Sequence, residues 1–256
     1  MRKERIGDVT WYQFENLEGV RHGFLTRQGG VSEPPFDTLN LGHTVGDDLA
    51  AVEENHRRAL AALDVQHEQV VSPFQVHGSE VHLVTEAHTG TTQPATDGLI
   101  TTTPGVALLL RFADCVPLLM YDPRQRALAL VHSGWKGTVK NIAGAAVAAL
   151  ARHAGSRPED VWAGIGPAIG PCCYRVSQEV VDAISRACPP GTPAVREENG
   201  ALHLDLPEVV SAQLKATGVR HVTRSGLCTA CDTETWFSYR AADGCTGRFG
   251  VLAMLA

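Results

Sequence analysis

Residues 127–153 read ALALVHSGWKGTVKNIAGAAVAALARH. Ala127 to His132 opens with an apolar run that does not alternate, which predicts a strand covered on both faces, with His132 emerging at its C-terminal end. Gly134 and Gly137 then flank Trp135 and Lys136 in a glycine-rich turn. From Val139 to His153 the residues Val139, Ile142, Ala143, Ala146, Val147 and Leu150 recur at helical spacing and form one apolar face. A doubly covered strand, a tight turn and a helix of small residues predict a mixed α and β core.

Outward from this unit, the region between Gln69 and Ser133 is β-rich, with short runs at Val70–Val76, Val81–Val84, Gly98–Thr102, Val106–Phe112 and Val116–Tyr121 punctuated by Gly, Pro and Asp. Upstream, Asp48–Leu63 carries Leu49, Val52, Ala59, Leu60 and Leu63 at helical spacing, with acidic residues in the first turn and Arg57 and Arg58 later, and predicts a helix. Two further helices are predicted over Gln178–Ala187, after Ser177, and over Leu206–Thr217, opened by Asp205 and Pro207 and closed by Gly218. Val20–Leu41, broken by Gly29-Gly30 and Pro34-Pro35, reads as a long loop or a strand feeding one, and the tail from Val219 returns to strands. No repeat of fixed period appears, so 1–256 is expected to be a single catalytic domain.

The chain has 256 residues and 44% hydrophobic content, enough for a large core. Its 28 acidic and 22 basic residues are spread along the sequence, so nucleic acid and anionic membranes are not expected partners, and a small soluble ligand is. The N-terminus lacks the apolar stretch of a signal peptide, no apolar run is long enough for a bilayer, and seven irregularly placed cysteines suit reduced thiols; together these predict a cytoplasmic protein.

Three segments set a metal-competent side chain beside turn-forming residues: Gln75-Val76-His77-Gly78, Ala113-Asp114-Cys115-Val116-Pro117 and Val131-His132-Ser133-Gly134-Trp135. Two imidazoles and a thiolate suit Zn²⁺, and three protein ligands leave a fourth position open, as in catalytic zinc sites. The intervals match no local zinc signature, so a second reading stands beside it: two hydrogen-bonded histidines at strand ends and a buried cysteine acting as a small hydrophobe. Cys228-Thr229-Ala230-Cys231 offers a CxxC, yet the only later cysteine is Cys245, and the motif reads as a structural or incidental thiol pair. Gly164-Ile165-Gly166-Pro167 lacks the Lys-Ser/Thr of a P-loop and reads as a tight structural loop. Arg27, Lys136, Arg240 and Arg248 lie beside glycine or aromatic residues and are the cationic candidates for an anionic substrate.

Thr26-Arg27 with Gly29-Gly30-Val31-Ser32, Leu39-Asn40-Leu41, Gln75-Val76-His77-Gly78, Asp97-Gly98-Leu99-Ile100-Thr101, Ala113-Asp114-Cys115-Val116-Pro117, His132-Ser133-Gly134-Trp135-Lys136-Gly137, Gly166-Pro167-Ala168-Ile169 and Cys228-Thr229 occur in register with Phe237-Ser238-Tyr239-Arg240 and Thr246-Gly247-Arg248. Taken together, from Arg21 to the C-terminus, they resemble the YfiH family. That family was formerly described as multicopper polyphenol oxidases or laccase-domain proteins and is now described as purine nucleoside phosphorylases with adenosine deaminase activity. The resemblance implies an α+β fold with a four-layer α/β/β/α arrangement of mixed sheets, related to the cysteine hydrolase domain of a deamidating toxin. It also implies that His77, Cys115 and His132 ligate zinc in preference to copper, since two His and one Cys cannot hold a trinuclear copper cluster.

The activity implied is phosphorolysis of adenosine, inosine, guanosine and methylthioadenosine, with purine nucleoside and phosphate as the small-molecule partners. Arg27, Lys136 and Arg248 are then the expected phosphate holders, Asn40 and Gln75 the sugar or base contacts, and Asp114 a proton shuttle for deamination. Lys136 stands where the family usually has arginine, which keeps the charge and loses the planar fork. Phe36 stands where the family usually has tyrosine. The rival readings are a thiol amidohydrolase with Cys115 as nucleophile and His132 as its partner, perhaps acting on cell-wall precursors, and a non-enzymatic metal-binding protein.

Overall fold

The computed structural model describes residues 1–15 and 17–256. The chain opens with strands β1 (Arg2–Ile6), β2 (Val9–Gln13) and β3 (Val20–Leu25), and a long loop leads to helix α1 (Leu49–Ala62). Strands β4 (Val70–Pro73), β5 (Val81–Leu83), β6 (Thr91–Gln93), β7 (Gly98–Thr101), β8 (Ala107–Phe112), β9 (Val116–Asp122) and β10 (Ala127–Ser133) follow. Helices α2 (Trp135–Val139) and α3 (Ile142–Ala154) precede β11 (Trp162–Ile165) and β12 (Arg175–Val176). The remainder is α4 (Gln178–Ala187), β13 (Val195–Glu198), β14 (Ala201–Leu204), α5 (Leu206–Ala216), β15 (His221–Arg224) and β16 (Phe249–Leu255).

Two large mixed sheets face each other. One has the order β1-β2-β3-β16-β8-β4-β6 and the other β15-β11-β9-β10-β7-β5, with a small sheet β12-β14-β13 beside them. Phe24, Leu108, Leu110 and Val251 of the first sheet pack on Leu99, Leu119, Leu128 and Leu130 of the second, in one buried cluster. The other face of β10, carrying Ala127, Ala129 and Val131, packs with Ile142, Ala146 and Leu150 of α3 and with Val210 and Leu214 of α5. Both faces of β10 are therefore dry, which is why its sequence does not alternate. Helix α1 covers the outer face of the first sheet through Ala59 and Leu60 on Leu109 and Leu252. Each fully buried leucine in these interfaces contributes about 2–3 kcal/mol by leaving water. The result is the four-layer α/β/β/α arrangement that the family resemblance implies.

Three local readings need correction. The helix predicted over Val139–His153 is broken: α2 ends at Val139, and α3 starts anew after Asn141, whose left-handed backbone (φ 58°) lets its side chain accept the Gly144 N–H. Helix α1 has no acidic residue in its first turn; Asp48 precedes it as the cap and accepts the Ala50 N–H. The hairpin of β1 and β2 is absent from the sequence reading because β1 is a charged, mostly exposed edge strand with no apolar face to detect. The hairpin of β13 and β14 turns on Asn199-Gly200, both at positive φ, a turn signal that the sequence does contain.

Two buried histidines must stay neutral. His22 accepts the Phe14 N–H at Nε2, 2.9 Å away, and His56 donates from Nε2 to the Leu41 carbonyl at 3.1 Å. Burial lowers the pKa of both; His56 falls to about 4, with the Arg111 and His43 charges pushing the same way. The folded pKa lies below the unfolded value near 6.5, so the associated stability is whole above that pH and is lost as pH falls toward 4. For His56 the loss is at most about 3 kcal/mol. Thermal melts between pH 7 and 4 are expected to show it, and His56→Gln to flatten part of the slope.

Candidate metal centre and active-site cavity

The site forms where the chain crosses between the two sheets. β8 belongs to the first sheet and β9 to the second, and Ala113-Asp114-Cys115 is the turn that joins them. Asp114 makes the turn with a left-handed backbone (φ 84°). β4 neighbours β8, so the loop after Pro73 brings in His77, itself at φ 57°. β10 neighbours β9, where His132 pairs with Pro117. The ligand atoms of His77, Cys115 and His132 all lie within 4.8 Å of one another. Cys115 Sγ is 3.8 Å from His77 Nε2, and the two imidazoles meet edge-on with centroids 4.9 Å apart.

Asp97, immediately before β7, organises this cluster. His132 Nδ1 and the His77 backbone N–H both donate to Asp97 Oδ1, at 2.8 and 3.0 Å. The Val76 and Gly78 N–H groups donate to Oδ2 at 3.0 and 2.7 Å. The carboxylate is fully buried, yet its pKa is lowered: burial opposes the charge, and the His132 and backbone hydrogen bonds outweigh it. With Nδ1 committed to Asp97, the His132 Nε2 is the nitrogen left for a ligand, the usual arrangement of a metal-binding histidine. Asp97 was expected only as part of a motif; its sequence signal is a carboxylate directly preceding the short, largely apolar strand β7.

Cys115 and His132 are coupled. Burial would raise the Cys115 pKa, but His132 and then His77 draw it down to about 6. Burial would lower that of His132, but Cys115 and Asp97 lift it to about 9. Each group thus favours the charged form of the other, and a cation bound between them would take the place of the His132 Nε2 proton. The donor set fits a borderline-soft cation such as zinc: its three ligand atoms converge, one histidine is oriented by a carboxylate, and His77 is exposed while His132 is buried. Gly134 is part of the fit, because a Cβ there would lie 2.7 Å from His77 Cδ2 and 3.1 Å from Cys115 Sγ. Gly134→Ala is expected to weaken metal binding about 10-fold or more by displacing both ligands, measurable by competitive chelation.

The cluster opens into a cavity of about 890 Å³ lined by Arg111, Lys136, Arg240 and Arg248, and by Phe74, Trp135, Tyr174 and Tyr239. None of the four cations pairs with a carboxylate among the described residues. Lys136 lies over Trp135, Arg240 over Tyr174 and Arg248 over Tyr239, at 5.7, 5.1 and 5.6 Å from the ring centroids. Burial lowers the pKa of Arg111 and Arg248, so a bound anion would be favoured at both. Arg111 is the cation absent from the expected set, although its place as the one charge in the otherwise apolar strand β8 is a signal the sequence contains.

Other expected contacts are used structurally. Arg27 does not line the cavity: it donates to the carbonyls of Asp37 and Thr233, pairs with the Asp37 carboxylate at 3.0 Å and lies over Phe237. Asn40 is fully buried; its Oδ1 accepts the N–H groups of Gly42 and Arg248, so it positions Arg248 from behind. Gln75 reaches the cavity, but its amide pairs with both backbone groups of Arg111. Asp114 also lines the cavity, with one carboxylate oxygen accepting the Thr229 hydroxyl at 2.6 Å and the other the Arg240 N–H at 2.7 Å. It thereby braces the loops that carry Thr229 and Arg240 against the cavity wall. The Gly164-Ile165-Gly166-Pro167 run, expected to be a tight loop, begins inside strand β11, and its glycines serve packing: added Cβ atoms would meet Trp162 at 2.4 Å and Phe24 at 2.2 Å. The CxxC, by contrast, is not isolated, because Cys172 and Cys173 meet it in space.

These features define a mixed α+β protein with a His-Cys-His cluster at the floor of a cationic, aromatic cavity. Residues 21–256 match the family described as multi-copper polyphenol oxidoreductase laccase, and the chain belongs to this laccase-domain (YfiH/YlmD) family. It is 41% identical over 241 residues to the purine nucleoside phosphorylase YlmD of Geobacillus stearothermophilus, covering 90% of this chain and 88% of that one. It is 40% identical over 230 residues to a purine nucleoside phosphorylase of Deinococcus radiodurans, covering 90% and 87%. The crystal structure of Geobacillus stearothermophilus YlmD superposes with a TM-score of 0.94 at 38% identity, over 98% of this chain and 97% of that one. That of the Bacillus licheniformis hypothetical protein YfiH gives 0.92 at 36%, over 97% of both.

Proposed function

We propose that the chain is a zinc-dependent purine nucleoside phosphorylase, acting as one catalytic domain on adenosine, inosine, guanosine and methylthioadenosine, with adenosine deaminase activity as well. The observation that carries this reading is that a His-Cys-His ligand set and four cations without carboxylate partners open into the same cavity. The names of the relatives point the same way. His77, Cys115 and His132 would hold the zinc, which when bound supplies a Lewis acid at its open position. The cytoplasm is the compartment this reading assigns to it.

In phosphorolysis an oxygen of HPO₄²⁻ attacks C1′ of the ribose, the C1′–N9 bond breaks with its electron pair going to the purine, and the purine takes up the proton that the phosphate gives as ribose 1-phosphate forms. Arg111, Lys136 and Arg248 would hold the phosphate dianion, and their unneutralised charge is matched to it. Exposed Phe74 and Tyr239 offer flat apolar faces on which a purine can stack. Lys136→Ala is expected to raise the KM for phosphate about 10-fold or more with little change in stability, because a charge-assisted hydrogen bond is lost from an exposed side chain. Lys136→Arg is expected to lower it by restoring a two-point grip.

A second reading rests on a specific feature: Cys115, His132 and Asp97 form a thiolate, imidazolium and carboxylate series suited to attack on an amide. Inosine turnover with and without phosphate separates the two. Phosphate-dependent hypoxanthine release that disappears on chelation and returns with zinc supports the phosphorylase. Amide hydrolysis that survives chelation and is lost on thiol alkylation selects the thiol hydrolase. Bound zinc with neither turnover leaves a metal-binding protein.

A further inference from the structure

Behind the Asp114 wall of the cavity lies a second cluster that the proposed reaction does not use. Cys172 and Cys173, in the turn after Pro171, meet Cys228 and Cys231 from the loop that follows β15, and all four sulfurs lie within 4.8 Å of one another. Cys231 Sγ is 3.3 Å from Cys172 Sγ and 3.4 Å from Cys173 Sγ. The Cys173 and Tyr174 N–H groups both donate to the Gly170 carbonyl, and this turn aims two adjacent sulfurs at the same point. Gly170 completes the arrangement. Its N–H donates to Cys228 Sγ at 3.2 Å, and a Cβ there would crowd Cys172 Sγ at 3.2 Å and Cys228 Sγ at 3.4 Å.

We propose that Cys172, Cys173, Cys228 and Cys231 form a structural four-thiolate site for a soft divalent cation, zinc first, separate from the His-Cys-His cluster. Zinc at roughly 2.3 Å from four tetrahedral sulfurs sets them about 3.8 Å apart, close to the spacing here. A disulfide would join one pair only, whereas Cys231 approaches Cys172 and Cys173 equally. The four sulfurs come from two loops that already pair through an Ala168–Cys228 bridge, which holds the two halves of the site in register. Binding converts four thiols to thiolates and releases four protons, leaving a dianionic centre.

The site would act on the cavity through its wall. The Thr229 hydroxyl, one residue from Cys228, donates to Asp114, and the Thr229 N–H donates to Ala168. Tyr174, one residue from Cys173, lines the cavity under Arg240. Metal at the four cysteines thus fastens the elements that hold Asp114 and Arg240 in place.

The test uses full-length Cys115→Ala, which removes a ligand of the other cluster and keeps all four cysteines. Purified under reductant, it is expected to retain about one zinc per chain. Its Co²⁺ form should show intense thiolate-to-cobalt charge transfer and tetrahedral visible bands. Its cluster thiols should resist a thiol reagent until the metal is stripped. Cys231→Ser in the same background should lose the zinc and the four-thiolate spectrum. In the otherwise wild-type chain, zinc should fall from about two to about one per chain on Cys231→Ser, which keeps the test valid should Cys115→Ala fold poorly. The proposal is overturned by a zinc-free Cys115→Ala protein whose thiols all react at once. A mass lighter by two hydrogens, locating a disulfide among the four, or a cobalt spectrum indifferent to Cys231→Ser would overturn it equally. Metal content, not turnover, is read throughout, so the outcome does not depend on the nucleoside reading.

Discussion

Asp97→Asn is expected to destabilise the protein by about 2–4 kcal/mol and to weaken metal binding 10–100-fold in the same molecule. The carboxylate accepts from four N–H groups, two at each oxygen. Asparagine keeps one acceptor and replaces the other by an NH₂ group. If the NH₂ faces Val76 and Gly78, two part-buried N–H donors lose their partner and the loop carrying His77 loosens. If it faces the other way, the His77 N–H is orphaned and His132 loses the acceptor that fixes its tautomer. Calorimetry and competitive zinc titration read the two effects. A variant that melts and binds zinc as the wild type does would show that Asp97 is only one of many redundant contacts.

Cys115→Ala is expected to cut nucleoside turnover about 10³-fold or more while changing the melting temperature little. The sulfur is half-buried at the cavity floor, so its loss leaves a space that water can enter rather than a dry hole. What disappears is the negative charge between His77 and His132, and with it the soft ligand. Cys115→Ser tests the softness: its hydroxyl can hydrogen-bond to His132, but it is a poor ligand beside two imidazoles and should not restore zinc. Steady-state turnover and elemental analysis on the same samples decide the matter. Full zinc together with full turnover in the alanine variant would sink both the metal site and the mechanism built on it.

Local patterns carried much of this architecture. Helix α1 follows from apolar spacing, α5 from the cap Asp205 and α4 from its place after Ser177, whose side chain makes no capping hydrogen bond; β10 follows from an apolar run that suits a doubly covered strand. The same patterns could not tell that the strands between Val70 and Ser133 belong to two sheets. β4, β6 and β8 join one and β5, β7, β9 and β10 the other. Sheet membership depends on which backbones pair, and a strand's own residues report only whether its faces are dry.

The site divides along the same line. His77, Cys115 and His132 were legible as metal-competent residues at turns, and the ordered family motifs made them a set. The sequence by itself determined most of the helices, the buried strands and the three metal-competent side chains at turns, because those depend on neighbours within a few residues. Only the tertiary structure decided that Asp97 holds His132, that Arg111 joins the cavity while Arg27 lies outside it and Asn40 holds Arg248, and that Cys228 and Cys231 meet Cys172 and Cys173. Each of these joins residues far apart in the chain. Hydrogen-bond commitment and ligand convergence are properties of distance in space, and that is fixed when the two sheets pack and the Ala113–Cys115 turn crosses between them.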